Sequence, residues 1–415
     1  MPKASEDLVK RPEDALYRTV YAPVDLREML ASAESRSRIR RLPPVQLFFG
    51  LKELSDEEVA LLAPHVTREQ WQAVIDLDVW SRDQANINHL INLQRHILLA
   101  EDPVARKLIA AADEELWELA FARLLKVYAR VDEEFEGDPG DCEYLETPDQ
   151  QYLVVLPRNP DLARVLRAMM LRLYQIDPEW TRLRLESARF RTRIELTETA
   201  YQNRTRRVEE MGFQDYYEAI LIYSPLAKGE KLLRKKSVNE LTTLPASARF
   251  SPSGGLLLMQ TLAQLSRSQD ISGLLEELFF VCNKILTVDR VSSGDPKLIR
   301  RSIRKALTGM NLGLDLWSEG RPERALAGVQ EIHFQSFFRL GYTRLLELRA
   351  KAEAIVREQP PATESHAGAL KGLLRTYPVM SRQTEPGAKL RWRFFSTRRE
   401  VEKAEKWLTA IGGQP

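Results

Sequence analysis

Cysteine is nearly absent from this chain of 415 residues: Cys142 and Cys282 stand far apart, and neither belongs to a CxxC pair. That excludes a disulfide framework and a cysteine-based zinc site, and it fits a reducing compartment. Long hydrophobic runs are missing too. Gly255-Leu-Leu-Leu-Met259 is among the most apolar stretches and falls well short of the ~20 residues of a membrane span, so no membrane insertion is expected. The opening MPKASEDLVKRPEDAL places charges where a signal peptide needs an apolar core, and the chain reads as cytoplasmic. Nor is there an excess of one charge. The 61 Lys and Arg stand against 59 Asp and Glu, which provides no global field to draw in nucleic acid or an anionic membrane.

Catalytic and metal signatures are equally scarce. Five histidines form no cluster in sequence. His89 and His96 lie seven apart on an expected helix, ~10.5 Å along its axis, too far to share one ion. Gly254-Gly255 lacks the Lys-Ser/Thr of a phosphate loop, and no GxGxxG, GxSxG or HExxH occurs. No cofactor is implied, no catalytic residue is nominated, and carboxylates are too numerous for any pair to be informative without geometry.

What is present is helical punctuation. Ser55-Asp-Glu-Glu58, Thr67-Arg-Glu-Gln70 and Thr397-Arg-Arg-Glu400 have the capping-box form, in which two orphan backbone donors are satisfied reciprocally. Leu47, Leu51 and Leu54, then Val59, Leu62 and Ala63, fall on single helix faces. Longer helices are expected over about 83–99 and 112–131. The fold class is therefore mainly all-α: stacked helical hairpins in a superhelical array, with one small β-hairpin insertion. The hairpin is expected where Tyr144-Leu-Glu and Gln151-Tyr-Leu-Val-Val-Leu156 flank Thr147-Pro-Asp-Gln150.

Composition divides the chain into an N-terminal arm (1–42), a short-helix repeat region (43–131), an acidic loop with the hairpin (132–160), a helical region (161–223), a linker (224–255), a C-terminal bundle (256–358) and a basic tail with a terminal helix (359–415). Within 161–223 one long Arg-rich helix is expected from Pro178 to about Met211, stopped by Gly212.

Three segments could carry binding chemistry. Asp132, Glu134, Glu136 and Glu143 occupy positions 1, 3, 5 and 12 of a calcium-loop outline, with Gly137 at position 6. Glutamates in place of shorter ligands, Pro139 and a following hairpin favour a solvated acidic loop instead. On the Arg-rich helix, Arg182, Arg189 and Arg193 share a face that could meet phosphates, but Glu186, Glu195 and Glu198 are interleaved, as on a salt-bridged face. In Lys389–Arg399, Arg391, Trp392, Arg393 and Phe394 mix cations with aromatics, as a nucleic-acid surface does. The alternation of Leu390, Trp392 and Phe394 fits a short packed strand at least as well.

Leu42-Pro-Pro-Val-Gln-Leu through Thr67-Arg-Glu-Gln-Trp-Gln-Ala-Val-Ile-Asp-Leu-Asp78 resembles the N-terminal helical superhelix of MgtE-type magnesium transporters, which implies a helical array over 42–100 and no magnesium ligand. Glu209-Glu-Met-Gly-Phe-Gln-Asp-Tyr-Tyr-Glu-Ala219, Asn311-Leu-Gly-Leu-Asp-Leu316 and Phe338-Arg-Leu-Gly-Tyr342 are similar to an uncharacterised bacterial domain-of-unknown-function family. That resemblance implies a helical architecture and supplies no activity. Met310–Val329 also resembles a single tetratricopeptide-like helix pair.

The function expected from these features is a cytosolic helical-repeat scaffold or regulatory protein that binds another protein. The alternative is a nucleic-acid-associated protein using Arg182, Arg189, Arg193 and the 389–399 segment. A third reading, an enzyme of unfamiliar type, requires a deep pocket with buried, converging polar groups.

Overall fold

A computed structural model describes residues 12–21, 24–129, 143–235, 252, 254–289, 295–358, 363–382 and 391–412. The chain is mainly α-helical, with twenty α-helices and three small antiparallel sheets among the described residues. It divides into two compact units: an inserted unit of residues 22–211, and a framing unit that joins residues 1–21 to 212–415. No helix among the described residues is long and apolar enough to cross a membrane. Chain order begins with α1 (Pro12–Leu16), which belongs to the framing unit.

The inserted unit opens with α2 (Leu26–Ala31), α3 (Ala33–Ile39), α4 (Pro44–Leu51), α5 (Asp56–Leu62) and α6 (Arg68–Asp78). Ser55 and Thr67 close the two expected capping boxes with Glu58 and Gln70. A ladder of β1 (Trp80–Ser81) and β2 (Gln84–Ala85) leads to α7 (Ile87–Gln94), α8 (Asp102–Ala111) and α9 (Glu114–Leu124). Trp71 and Trp117 are fully buried in this unit.

The helix expected to reach residue 131 ends at Leu124, and Lys126–Ala129 forms strand β3. Val127 and Tyr128 satisfy strand pairing as readily as a helical stripe, and pairing decides. The expected hairpin is present as β4 (Tyr144–Glu146) and β5 (Tyr152–Val155), with β5 in the centre of the order β3-β5-β4.

After α10 (Pro160–Ile176), the single long Arg-rich helix is corrected to two, α11 (Pro178–Phe190) and α12 (Arg193–Glu210). Arg191 and Thr192 between them have extended backbone, and Thr192 closes a capping box with Glu195. Helix α12 is tied down by Arg207. Its guanidinium donates to both oxygens of buried Asp76 on α6 at 2.7 and 2.8 Å, and to both oxygens of Asp113, the N-cap of α9, at 3.1 and 2.6 Å. Two carboxylates on one planar fork fix the angle of α12 against both helices.

The framing unit continues through α13 (Tyr216–Ile220), α14 (Leu257–Leu265), α15 (Ser272–Val288), α16 (Pro296–Ser318), α17 (Pro322–Glu331) and α18 (Phe334–Glu358). It closes with α19 (Glu364–Leu373), a ladder of β6 (Val379–Arg382) and β7 (Arg391–Phe394), and α20 (Arg398–Gly412). Thr397 and Glu400 exchange backbone hydrogen bonds at 3.2 and 3.3 Å, so the third expected capping box is also formed.

The centre of this unit is the crossing of α16 and α18. A Cβ on Gly313 would stand 1.8 Å from the Phe337 carbonyl oxygen, and one on Gly341 would stand 2.5 Å from the Gly309 carbonyl oxygen. The two backbones touch directly, which glycine alone permits. A second tie sits at Asn283 on α15, whose Oδ1 accepts from Tyr21 Oη at 2.5 Å while its Nδ2 donates to the Gly212 carbonyl at 2.9 Å. One buried amide thus holds the strand of chain that leaves this unit and the one that returns to it.

Two tests follow from the packing. Alanine is the better helix former by about 1 kcal/mol, yet Gly313→Ala is expected to lower stability by about 3 kcal/mol through overpacking against Phe337. Urea denaturation reads the sign, and a stabilised variant would refute the direct backbone contact. In the inserted unit, burial alone would raise the Asp78 carboxyl, but hydrogen bonds from His89 (2.6 Å) and Lys52 outweigh it and leave the pKa lowered. A lowered folded pKa stabilises above the unfolded value of about 3.9 and is lost as pH falls through the folded one. Asp78→Asn should therefore reduce stability at pH 7 and flatten the acid limb of the stability–pH curve; an unchanged limb would refute this assignment.

Candidate functional site

Among the polar groups of the framing unit, one set converges on a cleft with a volume of about 510 Å³. Its floor is a face of α16. Leu298, Arg301, Ser302 and Lys305 follow the i, i+3, i+4, i+7 spacing that puts side chains on one stripe of a helix. Asp289, just past the end of α15, meets this stripe. The segment Leu374–Tyr377 after α19, with Val379 of β6 and Phe394 of β7, forms the facing wall.

The carboxylate of Asp289 is held at both oxygens. Lys305 Nζ donates to Oδ1 and Ser302 Oγ to Oδ2, each at 2.5 Å. The Lys305 side chain is only 11% exposed, and its ammonium lies 5.2 Å from the Tyr223 ring centre and 5.5 Å from that of Tyr377. Burial pushes the Lys305 amine down in pKa, more than the charge of Asp289 holds it up. The hydroxyls of Tyr223 and Tyr377 are buried and have no hydrogen-bond partner among the described residues. Burial raises both phenols well above their ordinary value, and the charge of Asp289 adds to the effect. An orphan buried hydroxyl costs about 1–3 kcal/mol, so two beside one half-buried ion pair mark a place built for more than packing.

Toward the mouth, Arg301 is exposed and Arg375 is half-buried. Among the described residues neither has a carboxylate within ion-pair distance. The Arg375 guanidinium carbon lies over Trp392, 4.5 Å from the ring centre. Trp392 in turn packs on Gly372, where a Cβ would stand 2.7 Å from its ring. Among the described residues the cleft therefore carries three cations against one carboxylate.

The residues singled out from the sequence fall in several places. Arg182 and Arg189 lie on α11, Arg193 on α12, all in the inserted unit, whereas Arg391, Trp392, Arg393 and Phe394 lie on β7 in the framing unit. Arg189 donates to Glu186 at 3.2 Å and stacks near Tyr152 and Phe190. Arg193 Nε caps the Ala122 carbonyl at 3.1 Å, and Arg182 acts electrostatically on Tyr152. Nearby arginines are similarly engaged, Arg184 and Arg191 both by buried Glu118. On β7, Arg393 pairs with Glu400 at 2.6 Å, and Phe394 is buried edge-on against Tyr377. Trp392 and Phe394 thus contribute to the cleft as its support and wall. Along β7 Trp392 is half-buried, Arg393 exposed and Phe394 buried, whereas Leu390 lies outside the described residues.

Asp132, Glu134 and Glu136 lie outside the described residues, and Glu143 accepts from Arg167 at 3.3 Å. His89 binds Asp78 and His96 packs edge-on against Trp71. Among the described residues no group of three or more His, Cys, Asp or Glu is placed to hold a metal ion. The cleft itself escaped the sequence reading. The only local signal is the stripe Leu298-x-x-Arg301-Ser302-x-x-Lys305, and nothing in sequence joins it to Asp289 or to Arg375-Thr-Tyr377.

Comparison with known proteins adds a family and no activity. The model of a family of unknown function (DUF6178) matches residues 16–414. No curated protein and no solved structure matches the chain.

Proposed function

The chain belongs to this family of unknown function, so its role must be argued from its own side chains, and we propose that it binds a small organic anion, a carboxylate or phosphate ester, in the framing unit's cleft. The observation that carries this is the pair Arg301 and Arg375, without a carboxylate partner among the described residues, above a floor of largely buried Lys305, Asp289 and the orphan phenol of Tyr377. A cleft of a few hundred Å³ with an apolar wall and a few convergent polar groups has the dimensions of a small-molecule site. Guanidinium groups recognise carboxylate and phosphate through paired N–H donors. Such binding makes the protein a ligand-responsive regulatory component.

A second reading, a scaffold that docks another protein, is favoured by a different surface. At the α11–α12 junction Phe190 is 73% and Ile194 is 82% exposed, beside a shallow pocket lined by Leu125, Val127 and Tyr128. Among the described residues strand β3 is an outer strand of its sheet there, and a sheet edge can serve as a template for a partner strand. Nucleic-acid binding has weaker support, because Arg184, Arg189, Arg191 and Arg207 are already engaged by carboxylates.

For the anion reading, calorimetric titration with a panel of small carboxylates and phosphate esters is expected to find a binder. Arg301→Gln and Arg375→Gln should each weaken it about ten- to a hundredfold, the loss of one charge-assisted contact; equal affinity in all three proteins would sink the reading. For the scaffold reading, Phe190→Asp with Ile194→Asp should abolish any stoichiometric protein partner recovered with the wild type. A partner retained by the double variant would place docking elsewhere.

A further inference from the structure

The anion reading leaves the floor of the cleft unexplained, because an anion held at Arg301 and Arg375 does not require a buried amine below it. Among the described residues of the framing unit, Lys235, Lys284 and Lys305 are largely enclosed, and they differ in what surrounds the nitrogen. Lys235 Nζ is enclosed by Glu277 and the Val329 carbonyl, at 2.7 and 2.8 Å. Lys284 Nζ donates to Gln335 at 3.0 Å. Neither lines the cleft described above. Lys305 does line it, and its nitrogen has one described hydrogen-bond partner, Asp289, with the aromatic rings of Tyr223 and Tyr377 around it.

That arrangement suits amine chemistry. A lysine in apolar surroundings gives up its proton more readily than one in water, which is how a lysine becomes a nucleophile at neutral pH. Asp289 cannot swing away, since Ser302 holds its second oxygen. It is therefore positioned to take the proton and to return it.

We propose that Lys305 forms an imine with the carbonyl carbon of an aldehyde- or ketone-bearing organic anion, the charged end of which sits at Arg301 and Arg375. This rests on the anion-binding reading and specifies the class of ligand. In the first step Asp289 accepts a proton from the ammonium, and the freed nitrogen lone pair attacks the carbonyl carbon. The C–N bond forms as the carbonyl π bond opens, and the oxygen takes up the second ammonium proton to give a neutral carbinolamine. In the second step the Asp289 carboxylic acid protonates that hydroxyl, the C–O bond breaks, and water leaves as the nitrogen lone pair closes the C=N bond. One ammonium and one carbonyl become one protonated imine and one water, and the Asp289 carboxylate is restored beside a cation. No oxidant or reductant is consumed. Tyr377 lines the cleft, and its orphan hydroxyl can donate to the carbonyl or carbinolamine oxygen.

The test uses the full chain and pyridoxal 5′-phosphate as the probe, since it combines an aldehyde with a phosphate dianion. Borohydride reduction converts any imine to a stable secondary amine, and peptide mass mapping locates it. The expected result is labelling of Lys305 at least about tenfold over exposed lysines such as Lys371 and Lys403. Lys305→Arg should remove that label and still bind inorganic phosphate, which checks that the variant is folded. Asp289→Asn should slow trapping about a hundredfold, the size of a general acid–base contribution. Lys371→Arg should leave the Lys305 label intact.

Labelling spread evenly over surface lysines, with phosphate still bound in the cleft, would overturn the imine and leave the anion site standing. Failure of both the probe and phosphate to bind would overturn the two together. Equal trapping rates in the wild type and Asp289→Asn would remove Asp289 from the proton path and overturn the mechanism as written.

Discussion

The framing unit depends on two helix backbones in direct contact. Where α16 crosses α18, Gly309, Gly313 and Gly341 leave no side chain between the axes, and the Phe337 carbonyl fills the space that a Cβ on Gly313 would need. So close a crossing fixes the rotation of α16 about its own axis, because turning the helix would drive a neighbouring side chain into α18. That rotation directs Arg301, Ser302 and Lys305 outward along one stripe. The cleft is consequently built on a rigid element and inherits its geometry from packing a turn further along the same helix. Sites held on helices in this way keep their groups in place more accurately than sites on loops.

The same logic of ties at few points recurs in the inserted unit. Arg207 meets Asp76 and Asp113 with four hydrogen bonds from one side chain, and removal of one member of such a buried set costs about 3–5 kcal/mol. The arginines of α11 and α12 are mostly of this kind, engaged by carboxylates or carbonyls of their own unit. An Arg-rich sequence is thus compatible with a nearly neutral, internally paired surface, and the density of arginine by itself says little about phosphate.

Local interactions were the legible part of the fold. Ser55, Thr67 and Thr397 each announce a helix start because the capping box closes within four residues and owes nothing to the rest of the chain. The box at Thr192-Arg-Ile-Glu195 was equally readable, and it is what divides the expected long helix. Lys126–Ala129 was misjudged for the opposite reason, since its strand partner Tyr152–Val155 lies 23 to 29 positions further along the chain. The cleft was illegible on the same ground. Lys305 meets Asp289 across 16 positions, and Arg375 and Phe394 come from a segment that composition marks only as basic. Trp392 and Phe394 were noticed for the right residue types, but their role as a platform for Arg375 and as a wall follows only from tertiary packing.

Residues 12–21 belong with residues 212–415, and Asn283 grips Tyr21 and Gly212 with one amide. Arg300 also covers the Tyr17 ring at 4.3 Å. On the ribosome these early residues emerge long before the helices that receive them. The inserted unit can collapse while synthesis continues, whereas the first helix of the framing unit must wait for α15 and α16 before it has anywhere to settle. A stalled or shortened translation product would therefore carry a finished inserted unit and an orphaned segment ahead of it, a natural mark for quality-control proteases to read.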